Sequence, residues 1–331
     1  MTRFKWHEQY EAYDFNDMSR QTHRGRKGKM PKEHHSIQDT PWKTEVALMN
    51  EGSDTYVPTY VAPLDPKHHE RQWVIDSTVS FYQDKLITDV THLVKGGKEA
   101  NVYCCVAGET VNHELLAAKL YRPRMLRTLK NNAIYKAGRT LRDSEGKEIK
   151  GSRELRAMAK KTRFGKDLDL TAWIEHEFLV QQKLHQAGAD VPQPIAHGGN
   201  TILMAYLGDA SQAAPTLIDV SLARDEAKPL FQRIMHNVEL MLAHHLVHGD
   251  LSAYNILYWE GEIAIIDFPQ VVDTRKNPHA FELMERDIVR VCQYFASQGV
   301  KANGREIAAA FWERYLTDPR SFYHLQGGNI A

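Results

Sequence analysis

The run from Leu246 to Phe268, "LVHGDLSAYNILYWEGEIAIIDF", constrains this chain more than any other stretch. Two short apolar runs, Asn255–Trp259 and Ile263–Ile266, flank Glu260-Gly261-Glu262, and that spacing predicts a tight β-hairpin. The hairpin accounts for its own turn residues. It does not account for Asp250 and Asn255 just ahead of it, or for Asp267 at its end. A hairpin brings its two ends together, so all three residues converge on one point. Two carboxylates and an amide oxygen make a hard-oxygen set suited to Mg²⁺ with substrate phosphates. Phosphoryl transfer needs that metal and an acceptor for the nucleophile's proton. Any one of these residues reads as a turn cap; the set, preceded by His248-Gly249, reads as a site. His244 and His248 stand at a zinc-chelating helical spacing. Gly249 follows at once, however, and no third soft ligand is near, so His248 is read as a hydrogen-bonding anchor of the loop.

Composition frames the rest. The chain has 331 residues, 42% of them hydrophobic, enough for one large domain with an appendage or for two lobes. A mean hydropathy of −0.50 and the lack of any apolar run near ~20 residues predict a soluble chain with no membrane partner. Met1 to Glu8 lead into no apolar core, so no secretory signal is expected. Three cysteines build no disulfide framework, and Cys104 and Cys105, adjacent in an expected strand, leave opposite faces. A reducing, cytoplasmic setting is the expectation. The formal net charge of zero does not by itself point to nucleic acid, but residues 122–166 carry 15 Lys or Arg against 4 Asp or Glu.

Residues 1–65 show little periodicity and are expected to form a flexible or loosely docked tail. A helix is predicted from Trp73, then two strands within Ile87–Gly108 joined by a glycine turn, and a third strand over Glu114–Arg122. After the basic insertion come a helix ending at Gly188, two proline-limited strands within Val191–Asp209, and helices over Ala227–His245 and His279–Gly299. Strands first and helices after make an α+β chain over residues 66–331. It has a small β-rich lobe (about 72–204) on a mostly helical lobe (about 208–331), and the cleft between them is the expected ligand site. The turn "KGGKEANVY" fails as a Walker A loop, because Glu99 and then strand residues follow Lys98. Between two strands it reads instead as a lid over phosphates. Lys119, between Ala118 and Leu120 in an apolar strand, is costly unless paired or bound to phosphate; Glu177 or Glu175 on the next helix would pair with it.

Taken together, "GKEANVY" (97–103), "AAKLY" (117–121), "HGDLSAYN" (248–255) and "IIDF" (265–268) resemble the RIO family of atypical serine/threonine protein kinases, over about residues 72–300. The basic segment and "WIEHEF" (173–178) resemble its type 1 branch. The resemblance implies a two-lobed kinase-like fold without a long activation segment or peptide-docking subdomain, using ATP and Mg²⁺, with Mn²⁺ as a substitute. It implies Asp250 as catalytic acid/base, Asn255 and Asp267 as metal ligands, and Lys119 on the α/β-phosphates, oriented by Glu177. Gly97, Lys98, Glu99, Val102 and Ser252 would surround the nucleotide, and "LMAYL" (203–207), with Met204 and Leu207, would hold adenine. It also implies transfer to a protein or to the chain itself, an ATPase alternative, and contact with ribosomal RNA or a pre-ribosome through residues 122–166 during small-subunit assembly. The chain departs from the family at Lys95-Gly96, where Ser-Thr is frequent, at Ala205 in place of a hinge acid, and at Phe268-Pro269 after the metal aspartate. Two other readings compete. A small-molecule phosphotransferase of the aminoglycoside or choline kinase type is disfavoured by Ser252, Tyr254 and "GKEANVY". A non-catalytic RNA- or ribosome-binding module is disfavoured because every metal and phosphate residue is present.

Overall fold

The structure, a computed structural model, describes residues 70–97, 99–122, 151–160 and 162–317. The expected tail over residues 1–65, together with Lys98, Lys161 and residues 123–150 of the basic insertion, lies outside them. Five antiparallel strands build the first lobe: β1 (Ile87–Gly96), β2 (Ala100–Ala107), β3 (Leu115–Tyr121), β4 (Pro194–Gly198) and β5 (Thr201–Ala205), in the order β1-β2-β3-β5-β4. Alternation along each strand decides which layer a side chain enters. Tyr103, Cys104 and Cys105 are all buried, so the two neighbouring cysteines pack into different layers. Thr201 donates to Ser77 O at 3.1 Å on one face of the sheet, whereas its neighbour Ile202 packs with Trp173, Ile174 and Phe178 on the other.

Each face has its helix. Helix α1 (Arg71–Gln83) buries Trp73, Val74, Ile75 and Phe81. On the other face runs α3 (Arg163–Gln186), after the short α2 (Ser152–Ala159). The helix expected to end at Gly188 ends at Gln186 and begins at Arg163. Thr162 caps it, with Oγ1 accepting from Gly165 N at 3.1 Å. A Cβ at Gly165 would lie 2.0 Å from Ala157 O, so the crossing of α2 and α3 admits only glycine there.

The second lobe is built on α4 (Arg224–Ala243), α5 (Ala280–Ser297) and α6 (Gly304–Trp312). Helix α6 was not expected from the sequence; Asn303 caps it, accepting from Arg305 N at 3.2 Å. Ile234, Leu242, Ile256, Ile265, Ile288 and Phe295 are fully buried in this lobe's core. The predicted hairpin is present as β7 (Ile256–Trp259) and β8 (Glu262–Ile265), closed by the Trp259–Glu262 pair. Its two turn residues, Glu260 (φ 49°) and Gly261 (φ 87°), both take positive φ, as the mirror-image hairpin turn requires. A two-residue pair, β6 (Leu246–Val247) with β9 (Val272–Asp273), ties the segments before and after the hairpin. No helix among the described residues is long and apolar enough to cross a membrane. The result is an α+β, two-lobed, kinase-like fold.

Candidate active site

The site begins with Lys119 in the middle of β3. Its Nζ donates to Glu177 Oε1 at 2.7 Å and to Asp267 Oδ1 at 2.7 Å. One ammonium therefore ties the strand to α3 and to the end of the β7–β8 hairpin in the other lobe. Burial disfavours the charged ammonium, but Asp267 and Glu177 outweigh it and hold the Lys119 pKa well above its ordinary value. Burial likewise raises the Asp267 carboxyl, and the facing Lys119 overrides it, leaving the pKa below the usual carboxylate value. The second oxygen of Glu177 accepts a short hydrogen bond from the Tyr121 hydroxyl, two residues along β3 from Lys119. Glu175, the other carboxylate considered for Lys119, instead faces His197 Nε2 at 3.2 Å.

Asp267 sits at φ 75°, a backbone conformation that costs a non-glycine residue about 1–3 kcal/mol and concentrates at functional sites. His248 connects its strand to the loop carrying Asp250. His248 Nε2 lies 3.1 Å from Ile266 O, and Nδ1 accepts from Asp250 N at 3.2 Å. Those two bonds require the neutral ring protonated at Nε2, in keeping with burial lowering the His248 pKa. Asn255 Nδ2 donates to Asp250 O at 2.9 Å, which leaves Oδ1 as its ligand atom. Asn255 O accepts from Ile266 N at 3.0 Å, next to Asp267. Asp267 thus offers a carboxylate oxygen beside Lys119, and Asn255, bonded to the residue before Asp267, offers an amide oxygen. That donor set fits Mg²⁺, which takes one or two protein oxygens and completes its shell with phosphates and water. Among the described residues, no three His, Cys, Asp or Glu side chains form a metal cluster.

Three further contacts were not anticipated. Arg290 Nη1 lies 3.0 Å from Asp250 Oδ1. Asp287, 3% exposed, accepts from Gly249 N at 2.8 Å, and Arg286 donates a short bond to Gly249 O. Adjacent residues of α5 thereby hold both ends of the glycine (φ 80°) that turns the chain into Asp250. Burial raises the Asp287 carboxyl to about 7, partly offset by Arg286.

The residues expected around the nucleotide are placed as follows, Lys98 lying outside the described residues. Val102 pairs with Lys119 across β2 and β3. Met204 is buried on the sheet face that packs against α3. Leu207 O is taken by Ala214 N at 2.9 Å, and Ser252 O by Asn255 N at 2.9 Å. Gly97 sits in the β1–β2 turn, where a Cβ would come within 2.7 Å of Ala100 O. Glu99 lies close enough to Asp267 that burial first, and that charge second, raise its pKa.

Fold and site define a two-lobed, kinase-like chain with a lysine–glutamate–aspartate centre. The RIO domain family model matches residues 102–307, and the chain belongs to the RIO family. It is 31% identical over 236 residues to the human serine/threonine-protein kinase RIO1, covering 71% of this chain and 37% of that one. It is 33% identical over 147 residues to the RIO-type serine/threonine-protein kinase Rio1 of Thermoplasma acidophilum, covering 44% and 76% respectively. The chain spans about two fifths of the length of the eukaryotic RIO1 kinases it matches. A Rio2 kinase structure from Chaetomium thermophilum, an ADP/Mg²⁺-phosphoaspartate complex, aligns at 20% identity with a TM-score of 0.46, covering 76% of this chain and 73% of that one.

Proposed function

We propose that this chain transfers the γ-phosphoryl group of ATP to serine or threonine hydroxyls, its own included. The observation that carries the reading is the double pairing of Lys119 with Glu177 and Asp267, beside a loop that sets Asp250 and Asn255 against the same hairpin. Lys119 takes the α/β-phosphates, and the turn at Gly97 lies over them. Asp250 accepts the proton of the acceptor hydroxyl as its oxygen bonds to phosphorus and the bond to the ADP oxygen breaks. Asn255 and Asp267 would hold Mg²⁺, or Mn²⁺ in the same oxygen set, and the bound ion supplies charge neutralisation across the β- and γ-phosphates. That the relatives are serine/threonine-protein kinases supports the same acceptor class here. Only twelve residues separate Asp267 from α5, a short bed for a peptide, which favours self-phosphorylation and phosphate release to water alongside transfer to other proteins.

We further place ribosomal RNA among its partners, in small-subunit assembly. Arg153, Arg156 and Lys160 recur at i, i+3 and i+7 and are exposed, and Leu155 and Phe164 stand out at 42% and 53% exposure beside them. The buried free thiols of Cys104, Cys105 and Cys292 suit a cytoplasmic setting.

Labelled ATP and Mg²⁺ with no added substrate test the reaction, separating released phosphate from label on the protein. Asp250→Ala should reduce both by about 10²- to 10⁴-fold while retaining ATP binding. Asp267→Ala should weaken Mg²⁺–nucleotide binding as well. Near wild-type turnover in Asp250→Ala removes its assigned role.

A further inference from the structure

Arg122, at the end of β3, holds the turn at Gly97 from outside the nucleotide site. Its N–H donates to Glu99 O at 2.8 Å, its Nε to Gly97 O at 3.2 Å and its Nη2 to Asn101 Oδ1 at 3.0 Å. Asn101 Oδ1 also accepts from Gly97 N at 3.3 Å, so the amide and the guanidinium close the turn on both sides. The remaining guanidinium nitrogen, Nη1, meets Glu70 Oε1 at 2.8 Å, and the guanidinium lies 5.9 Å from the Trp73 ring centroid. Glu70, 5% exposed, is the residue from which α1 starts; its Oε2 accepts from Asn101 Nδ2 at 2.7 Å and from Tyr103 OH at 3.3 Å.

A buried carboxylate is costly unless its charge is paired and its oxygens are bonded. Here all of its named partners belong to the turn, to β2 or to Arg122. The planar guanidinium matters because one side chain reaches two acceptors in the turn and a carboxylate outside it, which a lysine ammonium reaches less well. None of these atoms belongs to the catalytic centre at Lys119, Asp250 and Asp267.

We propose that Arg122, anchored by Glu70, is a positioning residue that fixes Gly97, Glu99 and Asn101 of the β1–β2 turn where they cover the nucleotide phosphates, so that the start of α1 sets affinity for ATP. The proposal rests on the nucleotide reading above. Loss of the clamp releases the turn, which raises the dissociation constant for Mg²⁺–ATP, while the groups that transfer the phosphoryl stay in place.

The test uses the full chain, titrated with Mg²⁺–ATP by calorimetry and assayed in parallel for ATP consumption, below the unfolding onset of every variant. Arg122→Met should weaken ATP binding about tenfold and raise KM alike, with kcat changed by less than about threefold, the pattern of lost uniform binding. Arg122→Lys should recover part of the affinity. Glu70→Gln should weaken binding by about threefold, and the Glu70→Gln/Arg122→Met double variant should be no weaker than Arg122→Met alone, because both act through one clamp. Hydrogen exchange at the amides of Gly97 and Asn101 should quicken in Arg122→Met. Unchanged affinity in Arg122→Met, or losses that simply add in the double variant, would overturn the clamp while leaving the nucleotide reading standing. Absence of any Mg²⁺–ATP binding by the unsubstituted chain would overturn that reading and the clamp with it.

Discussion

At the scale of single residues, Lys119 is defined by its partners. Its two carboxylates are unequal in role: Glu177 is 2% exposed in its side chain and is held by Tyr121, whereas the side chain of Asp267 is 39% exposed. Lys119→Met should abolish measurable ATP turnover, and Glu177→Gln should reduce it less, in the same direction. Glu175→Gln should act least, since that carboxylate faces His197; a larger loss from Glu175→Gln than from Glu177→Gln, in parallel kinetic assays, reverses the assignment. Asp287 carries a pH signature. Its carboxyl is near pKa 7 in the fold and about 3.9 unfolded. The folded chain therefore holds a proton the unfolded chain gives up, and the stability this supplies is full below about pH 4 and lost as pH rises through 7. Asp287→Asn keeps an oxygen for Gly249 N and cannot ionise. Its unfolding temperature relative to the unsubstituted chain should therefore rise by a few degrees between pH 5 and 8. A difference that stays flat with pH contradicts the assignment. The sequence held a trace of this residue: Asp287 stands four positions from both Leu283 and Val291, a charge on the buried stripe of α5.

At the scale of elements, the most legible features were local. The β7–β8 hairpin follows from two β-rich runs and a glycine between them, and its ends must meet, so the bond of Ile266 N to Asn255 O beside Asp267 could be read from spacing alone. The Glu70–Arg122 and Asp250–Arg290 pairs could not, because long-range ion pairs depend on how β3 meets α1 and how α5 meets the loop. No periodicity encodes those distances. Helix α6 was missed for a related reason: its apolar positions look like loop residues until α5 lies beside them. Helix α2 carries the third prediction. Arg153, Arg156 and Lys160 share one exposed face, and Phe164 adds an exposed ring. Replacing all three cations with Gln should weaken RNA binding and flatten its log–log salt dependence by about two to three units, at roughly 0.7–0.9 per phosphate contact. Substrate-free ATP consumption should stay near its starting value. Filter binding across a salt series decides it: a slope that does not change, or no RNA bound at low salt, sinks the RNA assignment.

At the scale of the whole molecule, a β lobe supplies the ammonium and a helical lobe supplies the carboxylate it meets, so the Lys119–Asp267 bond is a contact between lobes as much as a part of the site. Its consequence is thermodynamic. On the proposed reading, a divalent cation at Asp267 would compete with the Lys119 ammonium for that carboxylate, and a bound triphosphate would offer the ammonium another partner. Nucleotide and metal would then be positively linked ligands, each raising the other's affinity by one common factor. On that reading, the lysine that joins the two lobes would also act as an internal antagonist of premature metal loading.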